Sequence, residues 1–373
     1  MASFTKRGNT WQYAISRTID GKQKPIRKGG FRTKKEAQEA ALQMEFDLKN
    51  GVLDPQKDYP IEKYFLEWFK TYKRDISDIT LNSYKATHTK LLNYFGDKAI
   101  QSITKREYQQ FLNDMGEQFA KTTNRKMNGF IRTCIREAID EGLIKTDFTR
   151  NVTITGAASK KSSEKFLDYD ASQLLLKYLH ANIDNGLEYT MLIVALTSGL
   201  RYGELVGLSI EDINFKESTV KIHRQWRYKE YGGFGPLKNE SSERTIGLDK
   251  TTMNVLKKQV LKVSNHPQNE NRLVFYTSDS PIQVITNDRL NDVLRASIKK
   301  LKIKPIITVH GLRHTHASVL LYQDISVLYV SERLGHASID ITTSTYAHLL
   351  KELRERDSSK TASIFEDLLT YSG

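Results

Sequence analysis

The period at which apolar residues recur changes along this chain, and the pattern breaks twice. In Thr10-Trp11-Gln12-Tyr13-Ala14-Ile15-Ser16 the alternation is every second residue, the spacing of a strand with one covered face. Asp20-Gly21 is a hairpin turn signal, and Lys24 to Phe31 can supply the returning strand. From Thr33 the period becomes helical. Thr33 and Glu36 have the spacing of a capping box and open a helix through about Lys49. A small sheet of three strands, backed by one helix, is the structure this predicts.

The first break is a linker, marked by Asn50-Gly51 and Asp54-Pro55. Residues 60 to about 153 then read as helices, with Ile61, Phe65 and Trp68, Leu91, Leu92 and Phe95, and Ile131, Cys134 and Ile135 as core stripes. The second break is the small, polar and basic run Gly156-Ala157-Ala158-Ser159-Lys160-Lys161-Ser162-Ser163. Beyond it, helices alternate with a short antiparallel sheet near 217 to 248. The expected class is therefore α+β and multidomain. Its expected parts are a sheet-and-helix domain over 1–55, a helical domain over 58–155, and a mainly helical domain with a small sheet over 165–373.

Charge narrows the class of partner. Lys and Arg number 57 against 44 Asp and Glu, a net charge of +13 in 373 residues. A chain this basic usually meets a polyanion, most often nucleic acid, the alternative being a basic surface kept for solubility. Ten of the first forty residues are Lys or Arg, against three acidic ones. Lys6, Arg7, Trp11, Arg17, Lys24, Arg27, Lys28 and Arg32 are the candidate DNA contacts there. Cys134 is the only cysteine, which excludes an internal disulfide and a C-x-x-C metal site. With no apolar leader in MASFTKRGNTWQY and no stretch fit to span a bilayer, the expectation is a cytoplasmic protein with no membrane partner.

The chemistry-bearing residues lie in the last two hundred. In Thr197-Ser198-Gly199-Leu200-Arg201-Tyr202-Gly203-Glu204 the glycines permit a tight turn that sets Arg201 at the start of a helix. Glu204, three residues on, can orient the guanidinium, although a surface Arg–Glu pair would look the same. Val309-His310-Gly311-Leu312-Arg313-His314-Thr315-His316 opens a helix running to about Tyr322, with His310 and Arg313 on one face, able to grip one phosphate. His310 and His314, at i and i+4, also permit a zinc reading. Arg313 among them would repel the ion, and no metal or cofactor is expected. Leu334-Gly335-His336 follows, and Tyr346 sits within Ile341-Thr342-Thr343-Ser344-Thr345-Tyr346-Ala347-His348. Most tyrosines are packing material; four hydroxyl neighbours make this a poor core environment.

Taken in order, Arg-turn-Glu, H-x-x-R, L-G-H and Tyr resemble the tyrosine recombinases, or phage integrases. The resemblance places Arg201, His310, Arg313, His336 and Tyr346 on that family's active-site positions. It also marks Lys238, in Gly235-Pro236-Leu237-Lys238, as the family's hairpin lysine; otherwise this is an exposed turn lysine. It makes the helical middle a core-binding domain that clamps a duplex, and the basic first segment an arm-binding domain, as in integrases of phages and conjugative elements from Gram-positive hosts.

The resemblance further implies a homotetramer holding two double-stranded DNA sites, of core and arm type, with a host DNA-bending protein and an excisionase as possible helpers. Tyr346 would form a 3′-phosphotyrosine, Arg201 and Arg313 clamp the nonbridging oxygens, His336 donate a hydrogen bond to one of them, His310 assist near the nucleophile, Lys238 protonate the 5′ oxygen, and Glu204 orient Arg201. A type IB topoisomerase and a DNA-binding regulator without catalysis are the rivals. After Tyr346, Leu349, Leu350 and Leu353 continue a helix. Past a polar break, Ile364, Phe365, Leu368 and Leu369 form a short apolar face expected to dock on a neighbouring protomer.

Overall fold

The computed structural model describes residues 2–16, 18–19, 22–23, 25–49, 58–158, 164–229, 232–237, 239–347 and 361. Two compact units divide it, Met1–Ser159 and Lys160–Gly373.

The first unit opens with β1 (Ala2–Arg7), β2 (Thr10–Ile15), β3 (Thr18–Ile19), β4 (Lys22–Gln23) and β5 (Ile26–Phe31). An antiparallel sheet is ordered β1-β2-β5, and β3 pairs with β4 at the hairpin tip. Phe4 lies opposite Tyr13, and Ile15 opposite Ile26. These residues form the apolar face, and α1 (Lys34–Lys49) covers it with Ala41 and Met44. At the start of α1, Thr33 Oγ1 accepts from the Glu36 amide at 3.1 Å. The Glu36 carboxylate returns to the amide of Arg32 at 3.0 Å, one residue earlier than a standard capping box would have it.

Four helices follow: α2 (Ile61–Tyr72), α3 (Asp78–Phe95), α4 (Lys105–Gln118) and α5 (Lys121–Asp140). Ile61, Phe65, Trp68, Leu91, Phe95, Ile131, Cys134 and Ile135 join one core, as the 3.6-residue period predicts. Leu92 does not. It is 43% exposed, because Leu91 and Phe95 already define the inward face of α3 and Leu92 is turned about 100° from it.

In the second unit, α6 (Tyr169–Ala181) leads to α7 (Leu187–Ser198), whose residues Met191–Leu196 are all buried. An α-helix apolar on every side has to be central. Next come α8 (Tyr202–Val206), β6 (Ile213–Asn214), β7 (Thr219–Ile222), β8 (Gln225–Trp226), β9 (Phe234–Gly235) and β10 (Arg244–Gly247). The small sheet is antiparallel with order β10-β7-β6, and β8 and β9 form a separate ribbon. The remaining helices are α9 (Lys250–Val263), α10 (Asn287–Lys300), α11 (Val309–Tyr322), α12 (Val327–Leu334) and α13 (Ile339–Thr345). Among the described residues no helix is long and apolar enough to cross a membrane. Both apolar segments expected after Tyr346 fall outside the described residues, as do Arg17, Lys24 and Lys238.

Candidate active site

The site is organised around the C-terminal end of α12. A helix end leaves carbonyls without partners and carries partial negative charge. Here two guanidiniums take them. Arg201 Nη2 donates to the Gly335 carbonyl at 2.9 Å, and Arg313 Nη2 donates to that of Leu334 at 2.6 Å. Gly335 closes the helix in the left-handed region at φ +65°, and a Cβ there would lie 3.0 Å from Arg244 Nη1 and Ser242 Cα. Only glycine suits both the turn and the crowding. Gly199 closes α7 in the same way at φ +69°; its carbonyl accepts from Arg313 Nη1 at 2.9 Å, and a Cβ would meet the His316 ring at 2.7 Å.

Glu204 is the counter-charge. Its carboxylate is buried and takes Arg201 Nη1 at 2.7 Å and Arg244 Nη2 at 2.8 Å. Burial by itself would raise its pKa; Arg244, Arg201 and Arg313 outweigh that and hold it below the ordinary carboxylate range. One carboxylate thus answers three guanidiniums. For Arg313 the balance is unfavourable: burial first, then Arg201, act against its charge. An arginine does not lose its proton in compensation, so the pocket holds cationic charge in excess.

The histidines surround this charge. His336 Nδ1 lies 2.7 Å from Thr342 Oγ1, which fixes the ring. Burial, Arg313 and Arg201 lower its pKa to about 4. His310 stays exposed as a residue, yet loss of water around its ring, followed by Arg313 and Arg201, lowers its proton affinity too. Its ring meets that of His314 edge-on, with centroids 4.9 Å apart. His314, lowered to about 4 by burial and then by His310, Arg313 and Lys165, has its Nδ1 2.9 Å from the Tyr346 hydroxyl.

Tyr346 corrects the environment expected for it. Despite the hydroxyl residues beside it in sequence, its side chain is 1% exposed and packs on Ala317, Leu321, Val330 and Leu334. Those neighbours come from α11 and α12, and local sequence does not reveal them. Burial pushes the phenol pKa up, and Arg313 pulls it only partly back. In this state the surrounding cations do not ionise it.

Arg201 and Glu204 are therefore joined by a direct ion pair, Arg201 and Arg313 donate to adjacent carbonyls of one turn, His336 follows that turn, His310 feels both guanidiniums and Tyr346 feels that of Arg313. Lys238 lies outside the described residues. Of the candidate DNA contacts, Arg7 pairs with Thr10 and Arg27 with Ala14, on the sheet face away from α1. Lys6 pairs with Trp11 on the other face, where Lys34 Nζ sits 5.7 Å from the Trp11 ring. Lys28 and Arg32 are exposed.

Several partners were not singled out from sequence. Arg244 also donates to the Arg333 carbonyl through Nε at 2.7 Å. His316 is buried: its Nδ1 donates to the Leu196 carbonyl at 2.9 Å, so Nε2 accepts from Arg333 Nε at 3.0 Å. Those two partners fix its tautomer, and burial, followed by Arg333, lowers its pKa to about 3. The Arg244–Arg333 and His316–Leu196 contacts join elements distant in sequence. The available signal was an arginine or histidine inside an otherwise apolar helix or strand.

Comparison with known proteins shows the family of the chain. Residues 165–352 match the Phage integrase family, 3–48 an Arm DNA-binding domain, and 61–116 the Phage integrase N-terminal SAM-like domain. An integrase of Staphylococcus phage L54a is 25% identical over 330 residues, covering 82% of this chain and 89% of its own. The ICEBs1 integrase of Bacillus subtilis is 24% identical over 296 residues, 74% of each. Among solved structures, the Tn1549 transposon integrase in complex with transposon right end DNA superimposes with a TM-score of 0.67 at 16% identity, covering 80% of this chain and 99% of the other. A lambda integrase tetramer bound to a Holliday junction does so at 0.59 and 16% identity, covering 91% and 96%. The chain belongs to the phage integrase family and is a tyrosine recombinase.

Proposed function

We propose that this chain integrates or excises a mobile element by cutting and rejoining DNA at specific sites, through a 3′-phosphotyrosine at Tyr346 and a Holliday junction. The observation that carries the reading is the excess cationic charge at the end of α12. Two guanidiniums anchored on adjacent carbonyls, one of them paired with a buried carboxylate, form a preset receptor for a tetrahedral anion. A scissile phosphate passing through a pentacoordinate state gains the charge that such a receptor favours.

In this reading Arg201 and Arg313 hold the nonbridging oxygens, His336 donates to one of them, and His310 assists near the nucleophile. Glu204 keeps Arg201 in place, and Lys238 protonates the departing 5′ oxygen. Residues 1–55 bind arm-type DNA, 58–155 grip the core site, and 165–373 carry the chemistry. Two sites are held by four protomers in the cytoplasm of a bacterial host, with a host DNA-bending protein and an excisionase as helpers. The relative solved as a tetramer on a Holliday junction supports this assembly.

A type IB topoisomerase would make a similar adduct without exchange, and a regulator without catalysis would make neither. Incubating the protein with nicked site DNA separates the three. The expected result is a covalent protein–DNA adduct together with strand exchange between two sites. Adduct without exchange, or binding alone, would overturn the proposal.

A further inference from the structure

When a tyrosine oxygen bonds to phosphorus, the phenol proton has to leave. In this site it cannot leave easily to bulk water. Tyr346 is 1% exposed, and its burial favours the protonated phenol. The polar atom at its oxygen is His314 Nδ1, 2.9 Å away, with the two rings edge to face at 5.9 Å between centroids. His314 lies next to Arg313 on α11, so the helix that supplies a phosphate-holding guanidinium also carries this imidazole.

We infer that His314 is a further catalytic residue of strand transfer, the base that takes the Tyr346 proton on attack and returns it on rejoining. The inference rests on the reading of Tyr346 as nucleophile. The electron count is complete with the groups already named. Tyr346 Oη forms its bond to phosphorus while its proton passes to His314 Nδ1, leaving an imidazolium. The bond from phosphorus to the 5′ oxygen breaks, and that oxygen takes a proton from the acid, assigned above to Lys238. On rejoining, a 5′-hydroxyl attacks, the bond from phosphorus to Oη breaks, and Nδ1–H protonates the departing phenoxide.

Three features of the surroundings suit this role. The groups facing His314 are Arg313 and His310 on α11, Lys165 ahead of α6, and His336 after α12. Burial first, and then these groups, each cationic or becoming so on protonation, keep the resting imidazole neutral, with a lone pair available near pH 7. Once protonated, it adds a positive charge beside the phosphorane at the moment negative charge builds there. A cavity of about 350 Å³, lined by Lys165, Phe166, His314, Ser344, Thr345 and Tyr346, opens next to the pair and gives the imidazole a route to exchange protons with solvent between turnovers.

The same hydrogen bond could instead serve only to park an idle tyrosine, and single-turnover cleavage separates the two roles. Nicked site DNA is prepared with either oxygen or sulfur at the bridging 5′ position, sulfur being a leaving group that needs no proton. His314→Ala and His314→Asn, the latter keeping an acceptor near the Nδ1 position without its basicity, should bind site DNA as the parent does. Both should cleave about 10² to 10⁴ times more slowly, on either substrate. Lys238→Ala should be restored by sulfur. Parent-like cleavage by His314→Asn would reduce the residue to a hydrogen-bond acceptor, and cleavage by His314→Ala as fast as the parent's or faster would make it a latch; either result overturns the inference. Adducts persisting in Tyr346→Phe would instead sink the underlying assignment of the nucleophile.

Discussion

At the scale of single residues, the site is a set of ionisable groups held away from their ordinary states. His314 and His336 are lowered to about 4 and His316 to about 3, each by burial first. A histidine kept neutral in the fold binds its proton only far below the value of about 6.5 it has in the unfolded chain. Between those values the unfolded state holds more protons, so stability is full above about pH 6.5 and is lost as pH falls toward 4. Glu204, held below the ordinary carboxylate range, adds a loss of the same sign at lower pH. The melting temperature of the full chain should therefore fall steadily from pH 7 to pH 4; a flat profile would contradict neutral buried imidazoles. Little of this was legible in the sequence. The pairing of Arg201 with Glu204 follows from i, i+3 spacing on one helix end. The burial of Tyr346 against Val330 and Leu334, and the partners of Arg244 and His316, depend on elements brought together only in the fold.

At the scale of elements, the C-terminus of α12 explains the L-G-H run. Leucine supplies the core and one carbonyl, glycine supplies the left-handed turn and the other, and histidine is delivered beside both arginines. Period and turn chemistry were enough to place β2, the helix α1 and the start of α11, because each is set by local rules. They did not place Leu92, where an apolar residue stands off the inward stripe. The N-terminal sheet carries its own prediction. Arg7 and Arg27 share the face that α1 leaves open, and Lys28 and Arg32 are exposed. Deleting residues 1–55 should leave core-site binding and cleavage of nicked substrates intact while abolishing binding to separate arm-type sequences. This would be read by gel shift on each DNA. Unchanged recombination between full attachment sites would remove the arm-binding role.

At the scale of the whole molecule, strand exchange as proposed requires four copies to cut in a coordinated way. In the sequence after Lys360, Ile364, Phe365, Leu368 and Leu369 recur at helical spacing, and a helix that short would need a surface to pack on. If that surface belongs to a neighbouring protomer, truncation after Lys360 should leave single-site binding intact. Tetramers on paired sites should form poorly, and two of four sites should no longer be cut together. Sedimentation of the DNA complexes measures this. Tetramers as abundant as those of the full chain would make the segment a local cover.

In the proposed reaction Tyr346 carries the DNA. Trapping the adduct on nicked site DNA, digesting it and mapping the nucleotide-bearing peptide by mass spectrometry tests that directly. The expected result is a 3′-phosphonucleotide on Tyr346 and no adduct at all in Tyr346→Phe. A modified residue elsewhere, or an adduct that survives in Tyr346→Phe, would contradict it.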